Sequence, residues 1–149
     1  RKVRCVRPDI SITSDFIIGY PGETDKYFQE TLDLIEDIQF DDGYSFIYSK
    51  RPGTIASSEI DDISIDEKKE RLSQVQKLIR RNSEKYLLQL VNTKQKVLVE
   101  GKSKKIKGEL FGRTFTNKIV HFKGSDTFLG QCVDVEILKA NRSSLYGCI

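Results

Sequence analysis

The sequence contains no tryptophan and no methionine, one histidine, three cysteines and three prolines. Each scarcity excludes something. With His121 as the sole histidine, a Ser/His/Asp triad or a polyhistidine metal site would have to rest on one imidazole. Its setting among apolar residues reads instead as a strand position. Cys5, Cys132 and Cys148 are odd in number and widely scattered, which fits neither a disulfide framework nor a paired-cysteine metal site. They read as reduced structural thiols, so no metal ligands are expected. No apolar run approaches the ~20 residues that a membrane-spanning helix needs, and no signal-like segment opens the chain. A cytoplasmic protein without a membrane partner is expected. The absence of methionine, position 1 included, implies an internal or C-terminal piece of a longer chain.

What is present is ordinary globular material: 149 residues, 38% hydrophobic and 32% charged, enough for one domain or two small ones. The opening cations Lys2, Arg4 and Arg7 suit the end of a helix that Pro8 stops. Ile10, Ile12, Phe16, Ile17 and Ile18 predict a strand buried on both faces, as in a parallel sheet. This run stops at the glycine turn of residues 19–24, where Thr24 can cap a helix whose stripe is Phe28, Leu32, Ile35 and Ile38. After the turn signal Asp41-Asp42-Gly43, residues 44–49 predict a second strand, parallel to the first through a right-handed crossover. Ligands gather at the carboxyl ends of such strands. Residues 19–24 are therefore one candidate site, and Lys50-Arg51-Pro52-Gly53-Thr54 shares the same rim. Arg51 could clamp a carboxylate or phosphate there.

Residues 57–63 form a polar connector. Ser64 and Glu67 then offer a capping box for a long helix with Leu72, Val75, Ile79, Tyr86 and Leu90 on its buried side. The mixed charges of residues 67–81 read as a solvated face. The helix is expected to stop at Asn92-Thr93, with domains at 1–91 and 92–149. Beyond it the rhythm changes to short alternating segments near 96–100, 109–115, 118–122, 133–137 and 144–149. Five strands separated by turns predict a small antiparallel barrel.

The net charge of +3 hides a split, −3 over residues 1–91 and +6 over residues 92–149. Lys102, Lys104, Lys105 and Lys107 cluster in one loop, Arg113, Lys118 and Lys123 follow, and Phe111, Phe115 and Phe122 are interleaved with them. A small barrel combining cations with rings suits RNA, where cations meet phosphates and rings stack on unpaired bases.

Together, residues 15–24, residues 44–54, Val97-Leu98-Val99-Glu100-Gly101 and Gly112-Arg113-Thr114 resemble the radical-SAM methylthiotransferases, in order and over essentially the whole chain. The nearest branch adds a methylthio group to a tRNA adenosine beside the anticodon. The resemblance implies a fold of two parts: the C-terminal part of a TIM-like α/β radical-SAM barrel, then a TRAM domain, an OB-like RNA-binding β-barrel. The cofactors it implies are S-adenosylmethionine and two 4Fe-4S clusters, in an enzyme acting as a monomer on the tRNA anticodon stem-loop. Cluster ligation needs cysteine thiolates, in these enzymes a CxxxCxxC loop. That loop is absent, so the resemblance assigns no catalytic or metal residue here and implies that this piece is inactive alone. Against the family's G-x-I-x-G-x-x-E pattern, Asp15 replaces the first glycine, Ile17 and Gly19 fit, and the acid falls one place late at Glu23. With Tyr48 and Arg51, these residues are the implied cofactor wall. The implied RNA contacts are Lys102, Lys104, Lys105, Lys107, Arg113, Asn117 and Lys118. Three other readings remain open: a ribosomal-protein methylthiotransferase, an RNA-binding module without chemistry, and an α/β domain that binds a metabolite.

Overall fold

A short helix, α1 (Lys2–Val6), opens the chain, and its Arg4 serves the end of another helix. The computed structural model describes residues 2–104 and 106–149, and divides the chain into two units, Arg1–Asn82 and Ser83–Ile149. In the first unit β1 (Thr13–Ile18) leads to α2 (Asp25–Ile38) and then to β2 (Asp42–Ile47). Thr24 caps α2, its hydroxyl accepting the Tyr27 N–H at 3.3 Å. At the other end Gln39 adopts a left-handed conformation. The Arg4 guanidinium donates to the carbonyls of Ile38 and Gln39 at 2.5 and 2.9 Å, a cation placed on the negative end of the helix dipole.

The expected parallel pairing is present: β1 and β2 run in register from Thr13 opposite Asp42 to Ile18 opposite Ile47. The expectation of a strand buried on both faces is not met. Phe16 and Ile18 are buried with Phe28, Ile35, Phe40, Val75 and Ile79, whereas Asp15 and Ile17 are exposed. Side chains alternate across a strand, and within this unit the helices cover one face of the two-stranded sheet. Ile17, Tyr44 and Phe46 therefore stand on an open face, each more than half exposed.

Helix α3 (Ile65–Gln89) starts at the predicted cap, with the Ser64 hydroxyl accepting the Glu67 N–H at 3.2 Å. Its first part belongs to the first unit and its last turns to the second. In the second unit five strands, β3 (Lys94–Lys102), β4 (Glu109–Thr114), β5 (Ile119–Lys123), β6 (Cys132–Ala140) and β7 (Leu145–Cys148), close a barrel in the order β3-β4-β5-β7-β6. Leu87 of α3 packs into its core with Val97, Val99, Leu110, Val120, Phe122, Val135, Ile137 and Leu145. The barrel is not antiparallel throughout, as expected from sequence: β5 and β7 are parallel. Topology forbids the expected arrangement. Each antiparallel neighbour reverses the strand direction, and five reversals around a closed ring cannot return to the starting direction.

Candidate cofactor cleft and candidate nucleic-acid surface

At the carboxyl ends of β1 and β2 the pairing continues for one more bond, the Tyr48 N–H donating to the Ile18 carbonyl at 2.8 Å. Beyond it the two chains diverge. The first makes a tight turn in which the Glu23 N–H returns to the Tyr20 carbonyl at 2.9 Å, with Pro21 and a positive-φ Gly22 at the centre, the residues a type II turn demands. The second runs through residues 49–54 into the 3-10 turn Ile55–Ser58. Between these segments lies a cleft of about 420 Å³, lined chiefly by Ile17, Tyr20, Phe46, Tyr48, Arg51 and Ile55. That volume is in the range of small-molecule sites.

Two buried cations of α3 set the geometry of the turn. Lys68 reaches both carboxylate oxygens of Asp61 at 2.5 and 2.6 Å, and its stem lies on Gly19. A Cβ at Gly19 would sit 2.5 Å from the Lys68 Cγ, so only glycine fits. Arg71 donates to the Glu23 carboxylate and to the Glu23 carbonyl, both at 2.9 Å, to Asp25 at 2.7 Å and to Glu67 at 2.6 Å. The same Glu23 oxygen accepts the Gly19 N–H at 2.9 Å. Burial acts to lower the Arg71 pKa, but Glu23, Glu67 and Asp25 outweigh it and hold the guanidinium above its ordinary value.

Tyr48 packs edge-on against Tyr20, with ring centroids 5.2 Å apart. Its hydroxyl is enclosed and makes no hydrogen bond within the described residues. Burial, and after it the neighbouring Tyr20 and the carboxylates of Asp61 and Glu59, raises its pKa. The hydroxyl therefore stays protonated and can donate.

Of the six residues assigned to a cofactor from sequence, the cleft brings together Ile17, Tyr48 and Arg51. Gly19 adjoins it beneath Lys68, Glu23 is committed to Arg71, and Asp15 is exposed on the open face of β1. Lys68 and Arg71 escaped the sequence reading, which assigned this stretch of α3 to solvent. Spacing carries the signal: Lys68 precedes Leu72, Val75 and Ile79 by four, seven and eleven residues, the repeat of one helical face.

In the barrel, Lys102, Lys104 and Lys107 are exposed, and Lys102 pairs with Asp126 at 2.5 Å. Lys105 lies outside the described residues. Arg113 is held by Glu100 at 3.3 Å and by the Asn117 side-chain oxygen at 3.0 Å. Asn117 sits at positive φ in the β4–β5 turn. Lys118 is buried, its ammonium 5.3 Å from the centroid of the Tyr86 ring, so it is not presented to a ligand. The three rings expected beside these cations separate: Phe122 belongs to the core, Phe111 is half-buried on the outer side, and Phe115 is 79% exposed at the turn. Among the described residues no group of three or more His, Cys, Asp or Glu side chains is placed to hold a metal ion. None of their helices is long and apolar enough to cross a membrane.

Residues 88–149 match the model of the TRAM domain family. Over 147 residues, 99% of its length, the chain is 50% identical to the tRNA-2-methylthio-N(6)-dimethylallyladenosine synthase of Ruthia magnifica. Identity to the synthases of the same name is 52% in Shewanella halifaxensis and 48% in Francisella tularensis subsp. novicida, over the same share of the chain. The chain spans about a third of the length of these curated relatives, 33%, 31% and 33% respectively. The resemblance read from the two loops and the barrel is thus borne out over the whole chain.

Proposed function

We propose that this chain is the C-terminal part of a tRNA-modifying methylthiotransferase of the radical-SAM kind, working in the cytoplasm. One observation carries the reading: identity near 50% runs across both units, rather than being confined to the barrel that many RNA-binding proteins could share. In this reading the first unit is the last portion of a TIM-like α/β barrel, and its open sheet face looks toward the barrel interior. The cleft then forms one wall of a site for S-adenosylmethionine.

The residues of the cleft suit that molecule. Ile17 and Phe46 offer apolar area to a base, the Tyr48 ring adds an aromatic wall, and the Arg51 guanidinium matches a carboxylate. Bound there, the cofactor would supply radical chemistry once cleaved at an iron–sulfur cluster. The residues of this chain orient it: Arg71 and Lys68 fix the 19–24 turn, and the Tyr48 ring, packed on Tyr20, lines the cleft. Cluster ligation does not fit the described residues, since Cys5, Cys132 and Cys148 stand in separate elements. The chain alone is therefore expected to be inactive. The barrel would grip the RNA, with exposed lysines and Arg113 meeting phosphates.

Binding decides between RNA and protein substrates. The chain is expected to bind an anticodon stem-loop more tightly than a ribosomal-protein loop peptide, with affinity falling steeply as salt is raised. Preference for the peptide would overturn the assignment in favour of a ribosomal-protein methylthiotransferase. Binding of neither would remove the RNA grip altogether.

A further inference from the structure

The lysine loop does not account for a second surface on the barrel. Phe111 of β4, His121 of β5 and Tyr146 of β7 stand opposite one another across three neighbouring strands. All three are half-buried, and their strand neighbours Leu110, Phe122 and Leu145 point the other way, into the core. The Phe111 and His121 ring centroids are 6.4 Å apart, with the rings tilted by 41°. The Phe111 ring is seated on Gly101, where a Cβ would lie 2.9 Å from its Cε1. A register shift between Val99 and Gly101 brings that glycine opposite Phe111. On the other side, the His121 Nδ1 faces the buried Glu109 carboxylate at 3.5 Å. The Phe111 and His121 rings thus have defined neighbours on the outer face, Lys139 stands opposite Tyr146, and Arg113 and Lys123 lie two residues on from Phe111 and His121 on the same side of their strands.

We propose that this face is a stacking platform for the unpaired bases of a single-stranded RNA segment, with Arg113 and the exposed Lys102, Lys104 and Lys107 holding its phosphates. The proposal rests on the RNA-binding reading given above and adds where, and by which chemistry, bases are met. Cations alone grip any nucleic acid, whereas rings reward a base that has left its stack. The positive balance of residues 92–149, +6, suits that partner.

The test compares binding of the full chain to a single-stranded RNA of about ten nucleotides with binding to the same backbone carrying abasic positions. The wild-type chain is expected to favour the base-bearing RNA by about tenfold or more. Phe111→Leu with Tyr146→Leu should erase that preference while leaving the salt dependence unchanged. Lys102→Ala with Lys104→Ala should weaken both RNAs alike and flatten the salt dependence. RNA binding without base preference, or a preference that survives in the ring variant, overturns the platform and leaves the RNA reading standing. Failure to bind either RNA overturns that reading itself. If the ring variant unfolds, photo-cross-linking of 4-thiouridine RNA to the wild-type chain decides. Adducts on Phe111, His121 or Tyr146 support the platform, and adducts confined to residues 102–107 overturn it.

Discussion

Replacing Arg71 by methionine is expected to unlock the 19–24 turn at a calculable cost. The side chain is 7% exposed, and its partners differ sharply: the Glu23 carboxylate is 10% exposed, Glu67 46% and Asp25 96%. An exposed pair such as that with Asp25 is worth roughly 0–0.5 kcal/mol after solvent screening, and the i,i+4 pair with Glu67 adds about 0.3 kcal/mol. The buried pair dominates. Removing one partner of such a pair costs about 3–5 kcal/mol because the other is left as an uncompensated charge. The Gly19 N–H still donates to Glu23, which favours the lower end. Arg71→Met should therefore destabilise the first unit by about 3 kcal/mol, and Asp25→Asn by less than about 0.5 kcal/mol. Adding Glu23→Gln to Arg71→Met should restore about 1–2 kcal/mol, since the stranded charge is gone.

Native-state hydrogen exchange at the amides of residues 19–28, followed against urea, is the appropriate assay, because two units need not unfold in one transition. Arg71's own titration adds no pH dependence at neutral or moderately alkaline pH. Its pKa is raised, so its contribution is present below the unfolded value and is lost only as pH climbs through the still higher folded value. Equal costs for Arg71→Met and Asp25→Asn, or a double variant weaker than Arg71→Met, would refute the reasoning.

Tyr48 should ionise later than an ordinary tyrosine, since burial and neighbouring negative charge raise its pKa. The stability that depends on its neutral form is intact below about pH 10 and falls as pH passes the raised folded value. Absorbance at tyrosinate wavelengths should lose its latest component in Tyr48→Phe, and an unchanged profile would contradict the enclosed hydroxyl. Leu87→Ala should cost the barrel about 2–5 kcal/mol, whereas Leu88→Ala, 64% exposed in the wild type, should cost about 0.5 kcal/mol or less. Urea unfolding of the two variants checks this, and similar midpoints would place the end of α3 outside the barrel core.

Much of this architecture was legible because it depends on local chemistry. Thr24 and Ser64 cap the helices their neighbours announced, and the five barrel strands fall where alternation placed them. Two kinds of feature were not legible. Ile17 reads as core because it is branched and sits between Phe16 and Ile18, yet a strand flanked by helices on one side leaves every second residue outside. β7 reads as one more antiparallel strand, because closure around an odd ring is a global condition that no window of sequence contains. The candidate cleft was half visible. Arg51 announces itself by its Pro-Gly loop and Tyr48 enters only through the resemblance, but Glu23 and Lys68 disclose their roles only once a turn and a helix 45 residues apart are brought together.

Helix α3 shows how charged side chains are buried beside an apolar stripe. Positions 68, 72, 75, 79, 82 and 86 of α3 follow one another at three- and four-residue steps, a single stripe. Two of the six are polar, and each has its partner: Lys68 has Asp61, and the Asn82 amide donates to the Ile35 carbonyl at 3.4 Å. Arg71, beside the stripe, has Glu23. A stripe of leucines would bury as much area but could slide by a turn with little penalty. Polar positions that are satisfied in one register alone remove that freedom, because a shift strands a buried charge or amide. The register of α3 on β1 in turn fixes the Lys68 stem over Gly19 and the Arg71 guanidinium against Glu23. The turn at the carboxyl end of β1 is therefore shaped by its own Pro21 and glycines and anchored by charges on a helix.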